Sequence, residues 1–113
     1  MEITAYKFGF QLRSQHKENP AAIEPRYADK VYRITGKIAK SGVLKSGGTY
    51  NITFDVLEGD DRFETVGITC AFAANQSAYA LALRPSEKVT LTGVVDHYDQ
   101  ILQVLWLRDC RGN

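Results

Sequence analysis

Basic side chains in the first half of the chain are the residues whose type and spacing most clearly suggest a chemistry. Residues 30–54 contain four lysines, one arginine and no acid, whereas residues 55–64 contain five acids and one arginine. Basic groups without acidic neighbours can bind the phosphates of a nucleic acid. The whole chain has a net charge of only +1, and dedicated nucleic-acid-binding domains are usually more basic. The charge pattern therefore predicts one basic and one acidic region rather than a uniformly basic protein.

Side chains that could catalyse a reaction or hold a metal are few. The chain has two histidines, His16 and His97, and two cysteines, Cys70 and Cys110. Two widely separated cysteines do not match the spacing of a zinc site, and no serine or cysteine lies in a recognisable nucleophile motif. The sequence therefore predicts a non-enzymatic protein with no metal site and no cofactor.

The length and composition predict one soluble domain. A chain of 113 residues can bury a single core, and an apolar fraction of 44% excludes a disordered class. No run approaches the roughly 18 apolar residues of a membrane helix, and the first residues are not a basic segment followed by an apolar one. We therefore expect a cytoplasmic protein that does not insert into a membrane.

Five segments alternate apolar and polar residues as half-buried strands do. They are residues 30–39, 50–57, 64–72, 88–98 and 101–109, with a loop over 41–49, a turn at 58–61 and a tight connection over 96–100. A short helix over 76–83 begins after Asn75, a good N-cap, and stops before Pro85. Helical spacing over 3–17, followed by prolines, predicts a helical extension over 1–29 and a barrel over 30–113.

The last predicted strand has two apolar faces. Leu105 and Leu107 are expected to point inward together with Ile101, which leaves Leu102, Val104 and Trp106 on the opposite face. A second apolar face needs a cover, which can be another part of the chain or a partner protein. The amino-terminal helix is the simplest cover.

Short segments along most of the chain resemble the tRNA-anti-like OB-fold family. They are ENPAA (18–22), YADKVYRITGKI (27–38), ITCAF (68–72), VTLTGV (89–94) and VLWLRDC (104–110). The resemblance implies an all-β fold, a five-stranded OB-fold Greek-key barrel with a short helix between strands 3 and 4, to which this chain adds an amino-terminal helix. It implies a fold more firmly than an activity.

An OB-fold usually binds its ligand on strands 2 and 3 and on the loops that join strands 1–2 and 4–5. On this chain that surface corresponds to Arg33, Lys37, Lys40, Lys45, Asn51, Thr53, Thr69, His97 and Tyr98. The resemblance therefore implies a module that contacts single-stranded nucleic acid through these two loops. The alternative is a protein-interaction or inhibitor module that uses the barrel surface, the amino-terminal segment and Leu102, Val104 and Trp106.

The resemblance also implies that the two cysteines lie on neighbouring strands. Strands 3 and 5 of an OB-fold run parallel beside each other, and Cys70 and Cys110 fall near the same ends of these strands. A disulfide between them is geometrically possible. Because no export signal is visible, the sequence favours two buried thiols.

Overall fold

The computed structural model of the chain describes residues 1–55 and 66–112. Within these residues the elements are, in order, β1 (Glu2–Thr4), α1 (Ala5–Glu18), α2 (Ile23–Tyr27), β2 (Val31–Ile38), β3 (Leu44–Ser46), β4 (Thr49–Asp55), β5 (Gly67–Phe72), α3 (Ser77–Leu81), β6 (Lys88–Asp99) and β7 (Val104–Gly112). Single 3₁₀ turns precede α2 and α3, at Pro20–Ala22 and Ala74–Gln76. The predicted turn at 58–61 and the adjoining strand ends lie outside the described residues.

The described residues form seven strands, so the prediction of five strands is wrong. The two additional strands, β1 and β3, have three residues each. β1 pairs in parallel with β2, and its Thr4 accepts a hydrogen bond from the backbone N–H of Lys7 as the N-cap of α1. β3 forms within the segment predicted as a loop, where Gly47 and Gly48 both have positive φ angles of 58° and 82°. Two successive positive φ angles make a two-residue turn whose twist matches paired strands, so β3 folds back onto β4 as a hairpin.

Five of the strands form a ring in the order β2, β6, β7, β5, β4, and β4 pairs back onto β2. The closure is uneven: β2 and β6 pair from Val31 to Lys37, whereas β2 and β4 pair only at Lys37 and Ile38. The expected parallel neighbours are confirmed, because β5 and β7 pair in parallel with Gly67 opposite Val104. The result is a small, unevenly closed β-barrel.

The helix α1 packs against β2, β4 and β5 of the barrel. Its Phe8 is fully buried and stacks on Tyr32, with ring centroids 4.7 Å apart, and meets Tyr27 edge-on at 5.7 Å. Gly36 permits this close packing, because a Cβ atom at that position would lie 2.8 Å from the Cβ of Ala5. Gly36 therefore makes room for the helix, and α1 supplies part of the core.

The helix between β5 and β6 is present as predicted, but it is shorter. α3 contains five residues, and Asn75 lies in the 3₁₀ turn before it without capping it by a side-chain hydrogen bond. Ala80 is buried, and the ring of Tyr79 packs edge-on against Phe72 at 6.1 Å. α3 therefore packs on the barrel through Ala80 and Tyr79.

Candidate functional site

Four side chains form a row across the outer surface of the barrel. Thr53 of β4 is registered with Thr69 of β5, Thr69 with Trp106 of β7, and Trp106 with His97 of β6. Residues next to them in the chain, such as Ile68 and Leu105, are fully buried. Because side chains alternate between the two faces of a strand, the row lies outside, and registered neighbours are close enough to touch.

The indole of Trp106 and the imidazole of His97 form an aromatic platform at one end of this row. Their centroids are 5.8 Å apart and their planes differ by 9°. The side chain of His97 is 49% exposed and Trp106 is half-buried. A carboxylate of Asp96 lies 2.7 Å from Nδ1 of His97, and since a carboxylate only accepts, Nδ1 donates and the ring is held in place. A flat, partly exposed aromatic pair can stack on the planar face of a base.

The polar half of the row is less accessible than the sequence predicts. The hydroxyls of Thr53 and Thr69 share a hydrogen bond of 2.9 Å, and Thr69 is only 4% exposed. Asn51 is 7% exposed, and the added strand β3 sets Leu44 opposite it. Of these three predicted contacts, Thr53 is the one that remains partly open to a ligand.

Tyr98 does not join this surface, contrary to the sequence prediction. The predicted connection over 96–100 is instead the end of β6, and the pairing of β6 with β7 shifts register between Val95 and His97. This bulge turns Asp96 and His97 outward together and Tyr98 inward, where it is 5% exposed. Its hydroxyl shares a 2.8 Å hydrogen bond with Nδ1 of His16, so the phenol is a core group.

Tyr98 should therefore ionise at unusually high pH. Burial raises the pKa of Tyr98 to about 12, although the charge of Arg13 lowers it, against about 10 in an unfolded chain. Its contribution to stability is complete below about pH 10 and is lost as the pH rises towards about 12. The difference in phenolate absorbance between wild type and Tyr98→Phe should have its midpoint near pH 12. A midpoint near 10 in protein still folded by circular dichroism would contradict this placement.

The predicted basic residues do not gather at the aromatic platform. Arg33 donates to Glu2 of β1 at 2.7 Å, and Lys37 is registered opposite Asp55. The ammonium of Lys45 lies 5.5 Å from the centre of the Tyr50 ring. Tyr50 and Thr53 are three residues apart on β4, so their side chains point to opposite faces of the strand. Lys45 is registered with Tyr50 and therefore lies on the face opposite to the row. Lys40 is exposed in the turn after β2.

The two predicted ligand-binding loops lie at opposite ends of β5. The hairpin after β2 reaches β5 through Asn51, which is registered with Ala71 near the strand end. The turn between β6 and β7 adjoins the strand start, where the N–H of Gly67 donates to the carbonyl of Gln103 at 2.9 Å. The loops are therefore not clustered, and the face that carries Thr69 lies between them.

A basic groove that the sequence reasoning missed lies between α1 and the barrel wall. Its cavity of about 530 Å³ is lined by Lys7 of α1, Lys37 of β2 and Lys88 of β6, with Asp55 as the acid among the described lining residues. Lys37 belongs to the basic stretch 30–54, but Lys7 and Lys88 are far from it in the sequence, so the charge pattern does not indicate the groove. Close lysines of one sign favour an anionic group such as a phosphate.

One further cation lies near the platform. Arg108 follows Trp106 on the same face of β7, and its guanidinium reaches Asp29 at 3.0 Å and Asp96 at 3.5 Å. It also donates to the carbonyl of Val95 at 3.2 Å. This arginine therefore already has carboxylate partners and chiefly holds β7, β6 and the segment before β2 together.

The apolar residues predicted for protein contact divide into two groups. Leu102 is 71% exposed in the turn between β6 and β7, and its neighbour Ile101, predicted to point inward, is 91% exposed. Val104 and Trp106 are half-buried on β7. The helix predicted to cover them packs on other strands, and α1 reaches this region through Arg13, which donates to Oε1 of Gln103. The exposed turn and the platform are thus separate features.

Residues 1–55 and 66–112 contain no group of three or more histidines, cysteines, aspartates or glutamates that could hold a metal ion. Among the same residues no helix is long and apolar enough to cross a membrane.

Solved structures of other proteins have a fold similar to that of this chain. A lipoprotein from Klebsiella pneumoniae subsp. pneumoniae, assigned as nucleic acid-binding, aligns with a TM-score of 0.69 and 23% identity over 99% of this chain and 92% of its own. A protein from Leishmania major Friedlin assigned as an aspartyl-tRNA synthetase aligns with a TM-score of 0.53 and 14% identity, over 96% of this chain and 19% of its own. No curated protein sequence matches significantly. The tRNA_anti-like family model matches residues 9–111, nearly the whole chain, and the protein therefore belongs to the tRNA_anti-like family.

Proposed function

We propose that this chain is a non-enzymatic OB-fold module that binds single-stranded nucleic acid across the outer face of β4, β5, β7 and β6. The observation that carries the proposal is the near-coplanar pair of Trp106 and His97 at the end of the four-strand row. Stacking of a base on an aromatic side chain contributes about 1–3 kcal/mol and tolerates any base. The platform therefore suits a ligand whose bases are not already paired.

The position of the two loops fits a strand that crosses this face. One loop lies near the end of β5 and the other near its start, so the two loops border the face over which a nucleic acid would lie. Lys40 and the groove of Lys7, Lys37 and Lys88 are the basic groups available for backbone phosphates. The lipoprotein from K. pneumoniae shares the fold and is assigned as nucleic acid-binding, which agrees with this proposal.

Fluorescence anisotropy with labelled short oligonucleotides tests the proposal directly. Single-stranded DNA or RNA should bind, and a duplex of the same length should bind more weakly because its bases cannot stack on Trp106. Contact with about three phosphates predicts that log K falls with log salt with a slope of roughly −2 for single strands. Flat titrations at low salt, where electrostatic attraction is strongest, would reject the proposal.

A protein-interaction or inhibitor module is the second candidate, and one observation favours it. Ile101 and Leu102 expose large apolar side chains side by side in the turn between β6 and β7. Adjacent exposed apolar residues are more typical of protein contacts than of nucleic-acid contacts. The double variant Ile101→Ser/Leu102→Ser separates the candidates, because it should leave oligonucleotide binding within about twofold of wild type while removing this apolar contact.

A further inference from the structure

The two cysteines of the chain lie together in the core. Cys70 on β5 and Cys110 on β7 are both fully buried in the same hydrophobic core cluster, and Cys110 is the neighbour that most raises the pKa of the Cys70 thiol. The parallel pairing of the two strands is irregular at this place, where the register shifts between Cys70 and Phe72 and sets Cys110 opposite Phe72. The two cysteines, separated by 39 residues of chain, therefore lie on neighbouring strands in the same part of the core.

A glycine on the next strand provides the space for one of the sulfurs. A Cβ atom at Gly93 of β6 would lie 2.6 Å from Sγ of Cys110, closer than real Cβ contacts allow. The sulfur of Cys110 therefore occupies space that any other residue at position 93 would fill. The glycine of β6 thus leaves room for Cys110, and both cysteines lie in the same core cluster.

We propose that Cys70 and Cys110 form a disulfide between β5 and β7 when the chain folds in the presence of a disulfide oxidant such as oxidised glutathione. One protein thiolate attacks the oxidant disulfide, forms a mixed disulfide and releases the first glutathione thiolate. The second protein thiolate then attacks the protein sulfur of that mixed disulfide and releases the second glutathione thiolate. The two protein thiols lose two protons and two electrons, and the oxidant is reduced to two thiols.

The bond should form during folding and then be protected. The hydrogen bond to Cys110 and burial raise the pKa of the Cys70 thiol, so the folded, reduced chain holds little of the reactive thiolate. Thiol–disulfide exchange is therefore expected during folding, before β5 pairs with β7. After closure the buried bond is out of reach of soluble thiols, and it joins the two strands that carry Thr69 and Trp106.

Counting thiols after oxidative folding tests this proposal, which does not depend on nucleic-acid binding. The denatured wild-type chain is refolded in a mixture of oxidised and reduced glutathione, quenched with acid, denatured again and treated with a maleimide. We expect no labelled cysteine, a monomer on a non-reducing gel, and a mass lower than that of the reduced chain by two hydrogens. Two labelled cysteines, glutathione adducts or disulfide-linked dimers as the main product would overturn the proposal.

Thermal unfolding gives the second readout. Closing a loop of this length should raise the melting temperature of the oxidised wild type by about 15 °C over the same protein reduced in denaturant and refolded with reductant. The matched control is Cys70→Ala/Cys110→Ala, in which reductant should not change the melting temperature. Equal melting temperatures for the oxidised and reduced wild type would contradict a bond that stabilises β5 against β7.

Discussion

Replacing Trp106 by alanine should weaken the binding of single-stranded nucleic acid by about 5- to 150-fold. The change removes the larger ring of the platform, and the loss of one base–aromatic stacking contact is worth about 1–3 kcal/mol. It also leaves His97 without the ring that it stacks on at 5.8 Å. Anisotropy titrations of the variant and the wild type with the same labelled oligonucleotide measure the effect.

Two controls distinguish lost stacking from lost structure. Trp106→Phe keeps an aromatic face and should lose less affinity than Trp106→Ala. Ile101→Ser changes a residue that is 91% exposed in the nearby turn and should bind as the wild type does. If Trp106→Ala binds as tightly as the wild type, or if Ile101→Ser loses as much affinity, the platform is not the site of binding.

Phe8→Ala should lower the free energy of unfolding by about 3–5 kcal/mol, the largest change in stability that we predict. Phe8 is fully buried in α1, stacks on Tyr32 and meets Tyr27 edge-on, so truncation leaves a cavity among aromatic rings. Urea unfolding followed by circular dichroism measures the change. A loss this large would show that α1 is part of the core.

Phe10→Ala is the matched control on the same helix. Phe10 is 47% exposed and packs on Tyr6 at 6.4 Å, so its removal should cost about 1 kcal/mol or less. A similar small cost for Phe8→Ala would mean that α1 is a loosely attached extension and that the barrel is stable without it.

The strands and their inner faces could be predicted because alternation of apolar residues is a local signal. Leu105 and Leu107 are buried as expected, and β5 and β7 lie parallel. The hairpin of β3 was predictable in principle, since Gly47-Gly48 is a residue pair that favours a two-residue turn. The strand β3 itself gives no such signal, because three residues are too few for an alternating pattern to be recognised.

The site was harder to predict because small irregularities decide which side chains are exposed. A single bulge between Val95 and His97 moves Tyr98 from the expected surface into the core. The partnership of Trp106 with His97 follows from the register of two strands, which the sequence of either strand alone does not fix. The groove of Lys7, Lys37 and Lys88 depends on how α1 docks, which is a tertiary feature.

The fluorescence of Trp106 is the most direct measurement of the central claim, because it is the only tryptophan of the chain and lies in the proposed site. Unlabelled single-stranded DNA and RNA would be titrated into the wild-type protein while the tryptophan emission is recorded. A base that stacks on the indole should quench this emission saturably, with the same midpoint as the anisotropy titration. Oligonucleotide binding that leaves the emission of Trp106 unchanged would contradict the account, and so would the absence of binding at low salt.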